Sequence, residues 1–317
     1  MKAVTFDNNE VVVKSVPDPI LSAGELLVSV KAAGINGADL LQMKGFYPAP
    51  AGSRQDVPGL ELAGEVIEVG SAVNGFQVGD RVMAIVGGGA QGELITIDAR
   101  HAIVIPESVS FTEAGGFPEV FSTAYDALFK RARVELGTRC LITGASGGVG
   151  TAAIQLAKSA GAYVVATTRH EAHFGDLLAL GANEVLEPGA IEELEALGPF
   201  DIVLELVAGN LAKNHINSLA QGGTLVVIGV GGGSRIEIDL LTIMNKRAFI
   251  TGSTLRSRTG EEKMAVAESV AKNVVPLLGS GGIKVPVANV FPIEQAPLAY
   301  EEFAKGGKLG KIILTID

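Results

Sequence analysis

The run Leu141-Ile142-Thr143-Gly144 reads as a short buried strand entering a glycine turn, and Thr151 to Ala157 continues beyond the turn as a helix. Between them lie Ala145-Ser146-Gly147-Gly148-Val149-Gly150. Glycines at 147 and 150 place no Cβ in the way, so backbone N–H groups can approach a pyrophosphate at the positive end of the helix. The spacing matches the G-x-G-x-x-G fingerprint except at its first position, where Ala145 stands. Context supports a dinucleotide site, because an apolar strand precedes the turn and a second strand follows the helix at Ala162 to Thr167.

The same residues spell G-x-S-x-G over Gly144 to Gly148, the pattern of a nucleophile elbow with Ser146 as nucleophile. A serine hydrolase needs an acid and then a histidine downstream, and only His170, His173 and His215 follow Ser146. All three come early for that order. The glycine at 150 has no special use in a hydrolase.

At 317 residues the chain has room for two domains with a core each. Hydrophobic residues make up 47% of it, which excludes a disordered chain. A net charge of −10 argues against nucleic acid or an anionic membrane surface as a general partner. From His170 to Ala212 there is no lysine or arginine among many acids, which reads as a solvated face. Cys140, the single cysteine, falls in the apolar strand before the turn, where a buried thiol is expected to be inert. The N-terminus meets Asp7 before any apolar run and is not expected to be a signal peptide. The longest uncharged run, Ile216 to Ser234, carries six glycines and is no membrane span. These features suit a soluble protein of a reducing, cytoplasmic setting.

Before residue 120 the pattern is short strands and glycine turns, near Lys2 to Phe6, Val11 to Val16, Glu25 to Lys31, Glu65 to Val69, Arg81 to Val86 and His101 to Ile105. This predicts a barrel-like all-β region. Ser110-x-x-Glu113 is a capping-box signature, followed by a helix from about Pro118 to Arg131. From Arg139 onward strands near 139–144, 162–168, 183–186, 201–206, 223–229 and 247–252 alternate with helices, the rhythm of a doubly wound parallel sheet. A helix near Gly260 to Leu278 breaks that rhythm, and a final strand, Lys311 to Thr315, is expected to return to the first domain. The cleft between domains is the expected site.

Folds that select NAD place Asp or Glu about twenty residues beyond the glycines to hold the adenosine ribose. Here that place reads Thr167-Thr168-Arg169-His170, and His173 lies one helical turn on. A guanidinium holds a 2′-phosphate by charge-assisted hydrogen bonds, so NADP(H) is the expected cofactor, although Arg169 also suits a solvent-facing loop. No third ligand accompanies the His170 and His173 pair, so no metal site is expected there.

Over nearly its whole length the chain resembles the zinc-independent quinone oxidoreductase branch of the medium-chain dehydrogenase/reductase superfamily. The residues that carry this are Ala33 to Asp39, Gly45 to Pro48, Pro58 to Gly64, Val78 to Val82, Ser122 to Tyr125 and the glycine turn. The stretch Gly252 to Arg258 looks most like the tumour-suppressor-inducible quinone oxidoreductase type. The resemblance implies an α/β fold with a GroES-like β-barrel-type catalytic domain over 1–120 and 259–317, and a Rossmann dinucleotide-binding domain over 121–258. Zinc members of the superfamily carry cysteine where this chain has Asn36 and histidine where it has Leu60, so no metal is expected. Without a Lewis acid, acceptors whose product anion is delocalised are favoured over simple alcohols. The expected activity is NADPH-dependent reduction of a quinone or an α,β-unsaturated carbonyl. A non-catalytic, crystallin-like NADPH- or RNA-binding protein is the remaining alternative of the branch.

By resemblance, Tyr47 lines the substrate pocket and donates to the developing oxyanion, with Asn36 beside the nicotinamide. Asn36-Gly37 is also an ordinary turn dipeptide, and Tyr47 before Pro48 an ordinary loop aromatic. For the cofactor the resemblance adds Thr123 near the nicotinamide ribose, Gly229, Val230 and Gly231 against the nicotinamide ring, and Leu255 and Arg256 near that end. With Ser146, Gly147, Gly148, Val149 and Gly150 at the pyrophosphate and Thr168, Arg169 and His173 at the 2′-phosphate, these complete the candidate set. Relatives often have tyrosine where this chain has Pro188 and lysine where it has His173, which would make phosphate affinity pH-dependent. The strand at Ala248 to Ser253 is expected to lie at a sheet edge and pair with its copy in a homodimer.

Overall fold

A computed structural model describes all residues, Met1 to Asp317. The chain divides into one unit formed by 1–122 with 255–317 and a second formed by 123–254.

The first unit opens with a hairpin of β1 (Lys2–Asp7) and β2 (Glu10–Ser15). Next comes β3 (Glu25–Ile35), the long central strand. Its alternating Leu26, Val28 and Val30 are buried, and from Ala32 to Ile35 every residue is buried, as expected for a strand covered first on one face and then on both. Then follow α1 (Gly37–Met43), β4 (Glu61–Val69), β5 (Arg81–Ile85), β6 (Leu94–Asp98), β7 (Ile103–Val104), α2 (Phe111–Ala114) and α3 (Pro118–Tyr125). The strand β6 was hidden behind the glycine-rich loop before it, and His101 lies in a 3-10 turn rather than in β7. The Ser110 and Glu113 capping box opens α2 as expected. The helix expected to run to Arg131 is α-helical only to Tyr125 and continues as π-helical turns over Asp126–Arg131.

The second unit is built on β8 (Arg139–Ile142), α4 (Gly148–Ser159), β9 (Tyr163–Thr167), α5 (Phe174–Ala179), β10 (Glu184–Leu186), α6 (Ile191–Leu197), β11 (Phe200–Glu205), α7 (Ala212–Asn217), β12 (Leu219–Val227), α8 (Leu240–Lys246) and β13 (Phe249–Gly252). All strand pairs are parallel, and the order β10-β9-β8-β11-β12-β13 reverses direction between β8 and β11. That reversal is the topological switch point where doubly wound sheets take their ligands. Leu141, Val165, Val203 and Leu225 from four neighbouring strands meet Phe200 and Ile216 in its core. The Cys140 thiol, buried in β8, is pushed up to about 12 by burial and by Asp201, so it stays protonated.

The chain then returns to the first unit through α9 (Gly260–Asn273), α10 (Val275–Gly279), β14 (Val287–Pro292), α11 (Ala296–Lys305) and β15 (Lys311–Thr315). The last strand pairs antiparallel with the carboxyl half of β3 and parallel with β14, giving a seven-stranded sheet in which β6 covers the amino half of β3. Ile312 and Leu314 enter the same core as Val28, Ile35 and Leu62. No helix is long and apolar enough to cross a membrane.

Candidate active site

Strand register brings together a set of buried charges in the first unit. Pairing of Ile312 with Ile35 sets Lys311 beside Asn36, and pairing of Ala33 with Leu62 sets Glu61 beside Gly34. The Lys311 ammonium donates to Asn36 Oδ1 at 2.5 Å and to the Ile35 carbonyl at 3.0 Å, and forms an ion pair with Glu61 Oε1 at 2.7 Å. Asn36 Nδ2 donates to the same Glu61 oxygen at 2.9 Å, and the amide of Glu119 donates to the other at 2.8 Å. All three side chains are buried. Gly34 makes the knot possible, since a Cβ there would lie 2.3 Å from Glu61 Oε1.

Asn36 therefore does more than form a turn: it precedes α1 as its N-cap, with its amide donating to Asp39 Oδ2 at 2.8 Å. Its side-chain amide is engaged at both ends, by Lys311 and by Glu61. Asp39 is fully buried, and its Oδ1 has no hydrogen-bond partner. Burial raises its carboxyl to about 6 against the lowering effect of the Asn36 amide and of the Lys311 and Arg256 charges.

Tyr47 lies in the loop after α1 and is half-buried. Burial raises its phenol above the usual range, with the Arg256 charge opposing, so the hydroxyl keeps its proton near neutrality. Arg256 holds this loop. Its guanidinium lies 5.1 Å from the Tyr47 ring centroid, Nη1 donates to the Tyr47 carbonyl at 2.7 Å, Nε donates to the Gly87 carbonyl at 2.9 Å, and Nη2 donates to Gln42 Oε1. Arg256 and its neighbour Leu255 are both buried in the first unit.

In the second unit the glycine turn sits at the switch point. The left-handed residue is Gly144, with φ +58°, one position before the place of the fingerprint's first glycine, and so Ala145 is accommodated there. Gly147 caps α4, and a Cβ on Gly150 would lie 2.6 Å from Ala145 Cα, so helix and turn are in direct backbone contact. Gly148, Val149 and Gly150 form the first turn of α4, whose amides have no acceptor within the helix. At the end of β9, Thr168 Oγ1 donates to Ser146 Oγ at 3.2 Å. Arg169 is exposed, and His173 lies 3.6 Å from Asp176. Thr123 is buried on α3, Gly229 is half-buried, and Val230 and Gly231 are exposed in the loop after β12.

Ser146 makes its side-chain hydrogen bond to Thr168 and has no histidine partner. His215 instead holds Glu205, with Nδ1 2.6 Å from Oε2, and its Nε2 is buried without a partner. The catalytic pairing of a hydrolase is thus not formed. Glu205 also corrects the expectation of a solvated acidic face over 170–212, because its side chain is fully buried at the end of β11. The signal was present in the sequence: a carboxylate inside the apolar run Ile202 to Val207 needs a partner. Glu61, set between Leu60 and Leu62, and Lys311, beside Ile312, carry the same signal.

The zinc-binding dehydrogenase family matches residues 148–272, and the alcohol dehydrogenase GroES-like domain matches 22–130. The chain is 31% identical over 310 residues to a quinone oxidoreductase of Mus musculus, covering 94% of this chain and 91% of that protein. A quinone oxidoreductase of Homo sapiens is 32% identical over 314 residues, with the same coverage. Among solved structures, an alcohol dehydrogenase superfamily protein from Novosphingobium aromaticivorans superposes with a TM-score of 0.88 at 29% identity, covering 100% of this chain and 99% of that one. The chain belongs to the medium-chain dehydrogenase/reductase superfamily. Its fold is that of a nicotinamide-dinucleotide-dependent oxidoreductase. The zinc carried by members of the matching family does not fit the residues here, since Asn36 and Leu60 are poor zinc ligands and the Lys311 ammonium lies against Asn36 and Glu61. No group of three His, Cys, Asp or Glu side chains suited to a metal occurs elsewhere in the chain.

Asp39 generates a stability prediction. Its folded carboxyl titrates near 6, above the roughly 3.9 of an unfolded aspartate. The folded state therefore binds the extra proton between these values, and stability falls by up to roughly 3 kcal/mol as pH rises through that window, then levels off. Asp39→Asn should remove this slope. Denaturant unfolding of both proteins from pH 4 to 7 measures it, and parallel profiles would contradict the assignment.

Proposed function

We propose that this protein is an NADPH-dependent reductase that passes hydride to a quinone or an α,β-unsaturated carbonyl without zinc. The observation that carries this reading is the buried Asn36, Lys311 and Glu61 knot at a zinc-ligand position, in a chain that keeps a glycine cradle at the switch point of its sheet. The quinone oxidoreductases among its relatives support the same acceptor class.

Ser146, Gly147, Gly148, Val149 and Gly150 suit a pyrophosphate, and Thr168, hydrogen-bonded to Ser146, leads from them to the 2′-phosphate side. Arg169, exposed at the end of β9 with no carboxylate in its place, favours a 2′-phosphate, and His173 adds a second donor nearby. Thr123, Gly229, Val230, Gly231 and Leu255 are assigned to the nicotinamide end. When bound, the reduced nicotinamide supplies a hydride. The enzyme must then stabilise a phenolate or enolate and deliver a proton. Tyr47, protonated and oriented by Arg256, is the proposed donor to that oxyanion. Asn36, with its side-chain amide committed to Lys311 and Glu61, is assigned beside the nicotinamide, where it transmits the ammonium's positive field.

We further propose a homodimer through β13. This strand lies at the edge of its sheet and exposes Phe249 and Ile250, next to the exposed Leu240, Leu241 and Met244 of α8. The single buried thiol suits a cytoplasmic, reducing location.

An oxidation assay with NADPH and NADH against a panel of quinones, enones and simple ketones tests the activity. Turnover with quinones or enones is expected, with NADPH preferred. Arg169→Ala should raise the KM for NADPH about tenfold or more and leave that for NADH nearly unchanged. Activity confined to simple ketones or to NADH would refute the reading. Tyr47→Phe should lower kcat by about tenfold to a hundredfold with a smaller change in substrate KM, and an unchanged kcat would remove Tyr47 from the chemistry. Light scattering at micromolar concentration should give twice the chain mass, and Phe249→Asp should return a monomer.

A further inference from the structure

Glu205 stands at the carboxyl end of β11, directly across the switch point from Thr143, with no exposed surface. Its Oε1 accepts from Thr143 Oγ1 at 2.7 Å, from the Val207 amide at 3.0 Å and from the Ala208 amide at 2.7 Å, while Oε2 lies 2.6 Å from His215 Nδ1. Burial by itself would raise this carboxyl. The His215 hydrogen bond and charge, with the Ala208 amide and Thr143 hydroxyl, hold it at about 2 instead, so it is an anion at any working pH.

Apart from His215 on α7, its side-chain partners belong to the turns that leave β8 and β11. Thr143 Oγ1 also accepts the Leu206 amide at 2.8 Å. Ala208 adopts φ +58° and ψ −142°, a conformation that side chains other than hydrogen rarely take, and its amide is one of the donors to Glu205. From there the turns lock onto one another. The Gly232 amide donates to the Val207 carbonyl at 2.7 Å, the Gly209 amide to the Gly233 carbonyl at 3.1 Å, and the Ile228 and Gly229 amides to the Glu205 carbonyl. The approach is close enough that a Cβ on Gly229 would lie 2.2 Å from the Leu206 carbonyl oxygen, and one on Gly209 2.3 Å from that of Gly232.

We infer that Glu205, oriented by His215, is a positioning residue that sets turns 206–209 and 228–233 as the rest for the nicotinamide half of the dinucleotide. The inference rests on the dinucleotide reading above. With the pyrophosphate at the turn after β8, sheet order sends the adenosine half over β9 and the other half over β11 and β12. Glu205 meets the first side only through Thr143, while its contacts with the Val207 and Ala208 amides lie on the second. Its removal leaves Val207 N, Ala208 N, Thr143 Oγ1 and His215 Nδ1 without their shared acceptor and releases the Ala208 conformation, while the turn at Gly147 to Gly150 and the end of β9 keep their own contacts.

The test compares NADPH with 2′-phospho-ADP-ribose, which lacks the nicotinamide, and runs NADH with ADP-ribose alongside. Dissociation constants and steady-state kinetics are measured for the unmutated protein and for Glu205→Ala, Glu205→Asp and Thr143→Val. Glu205→Ala should weaken the intact dinucleotide at least about tenfold while binding of the matching fragment stays within about twofold, and Glu205→Asp should recover part of the loss. If Glu205→Ala loses cooperative melting, Glu205→Asp and Thr143→Val should show the same selective pattern in smaller measure. Equal weakening of dinucleotide and fragment, or no weakening of either, overturns the positioning role. Failure of the unmutated protein to bind any of the four overturns the dinucleotide reading and this inference with it.

Discussion

The ion pair between Lys311 and Glu61 joins residues far apart in sequence and depends on strand register at both ends. A one-residue slip of β15 against β3 would turn Lys311 to the opposite face and leave Glu61 as an unpaired buried carboxylate, a penalty of several kcal/mol. The pair thus favours one alignment of the C-terminal return. It also fixes Asn36, because the same two charges hold the two ends of its amide. The loop bearing Tyr47 leaves from the helix that Asn36 begins and is fastened again by Arg256. Arg256 belongs to the same returning segment.

The two units solve a similar problem in similar ways. Each buries a carboxylate at a strand end, satisfies it with several donors, and uses it to organise backbone that cannot organise itself. In the first unit the donors are an ammonium, a side-chain amide and the Glu119 amide. In the second they are a histidine, a hydroxyl and two consecutive amides. Such groups are costly when left unpaired, and their full satisfaction makes each arrangement stiff. Stiffness of this kind suits hydride transfer, which depends on holding two reactants in one geometry.

Element types were legible wherever hydrophobic period and turn residues agreed. The final strand Lys311–Thr315 stood out as an apolar run after glycines, and the alternation of strands with helices from Arg139 announced the parallel sheet. The glycine turn was legible too, although its left-handed position was displaced by one residue to Gly144. The strand Leu94–Asp98 and the short helix Gly37–Met43 were not, since each is brief and takes its stability from the strand or cap beside it. The acid-rich stretch 170–212 misled at one point, because composition averages over Glu205 and its exposed neighbours alike.

The sequence by itself determined the sheet types, the dinucleotide turn and the guanidinium at the end of β9. All of these are local, expressed in residue type and spacing within a few turns of chain. Only the tertiary structure decided that Lys311 meets Asn36 and Glu61, that Arg256 clasps the Tyr47 loop, and that Glu205 with His215 ties three strand ends together. These are long-range pairings of charge, set by strand register and sheet order rather than by neighbours in the chain.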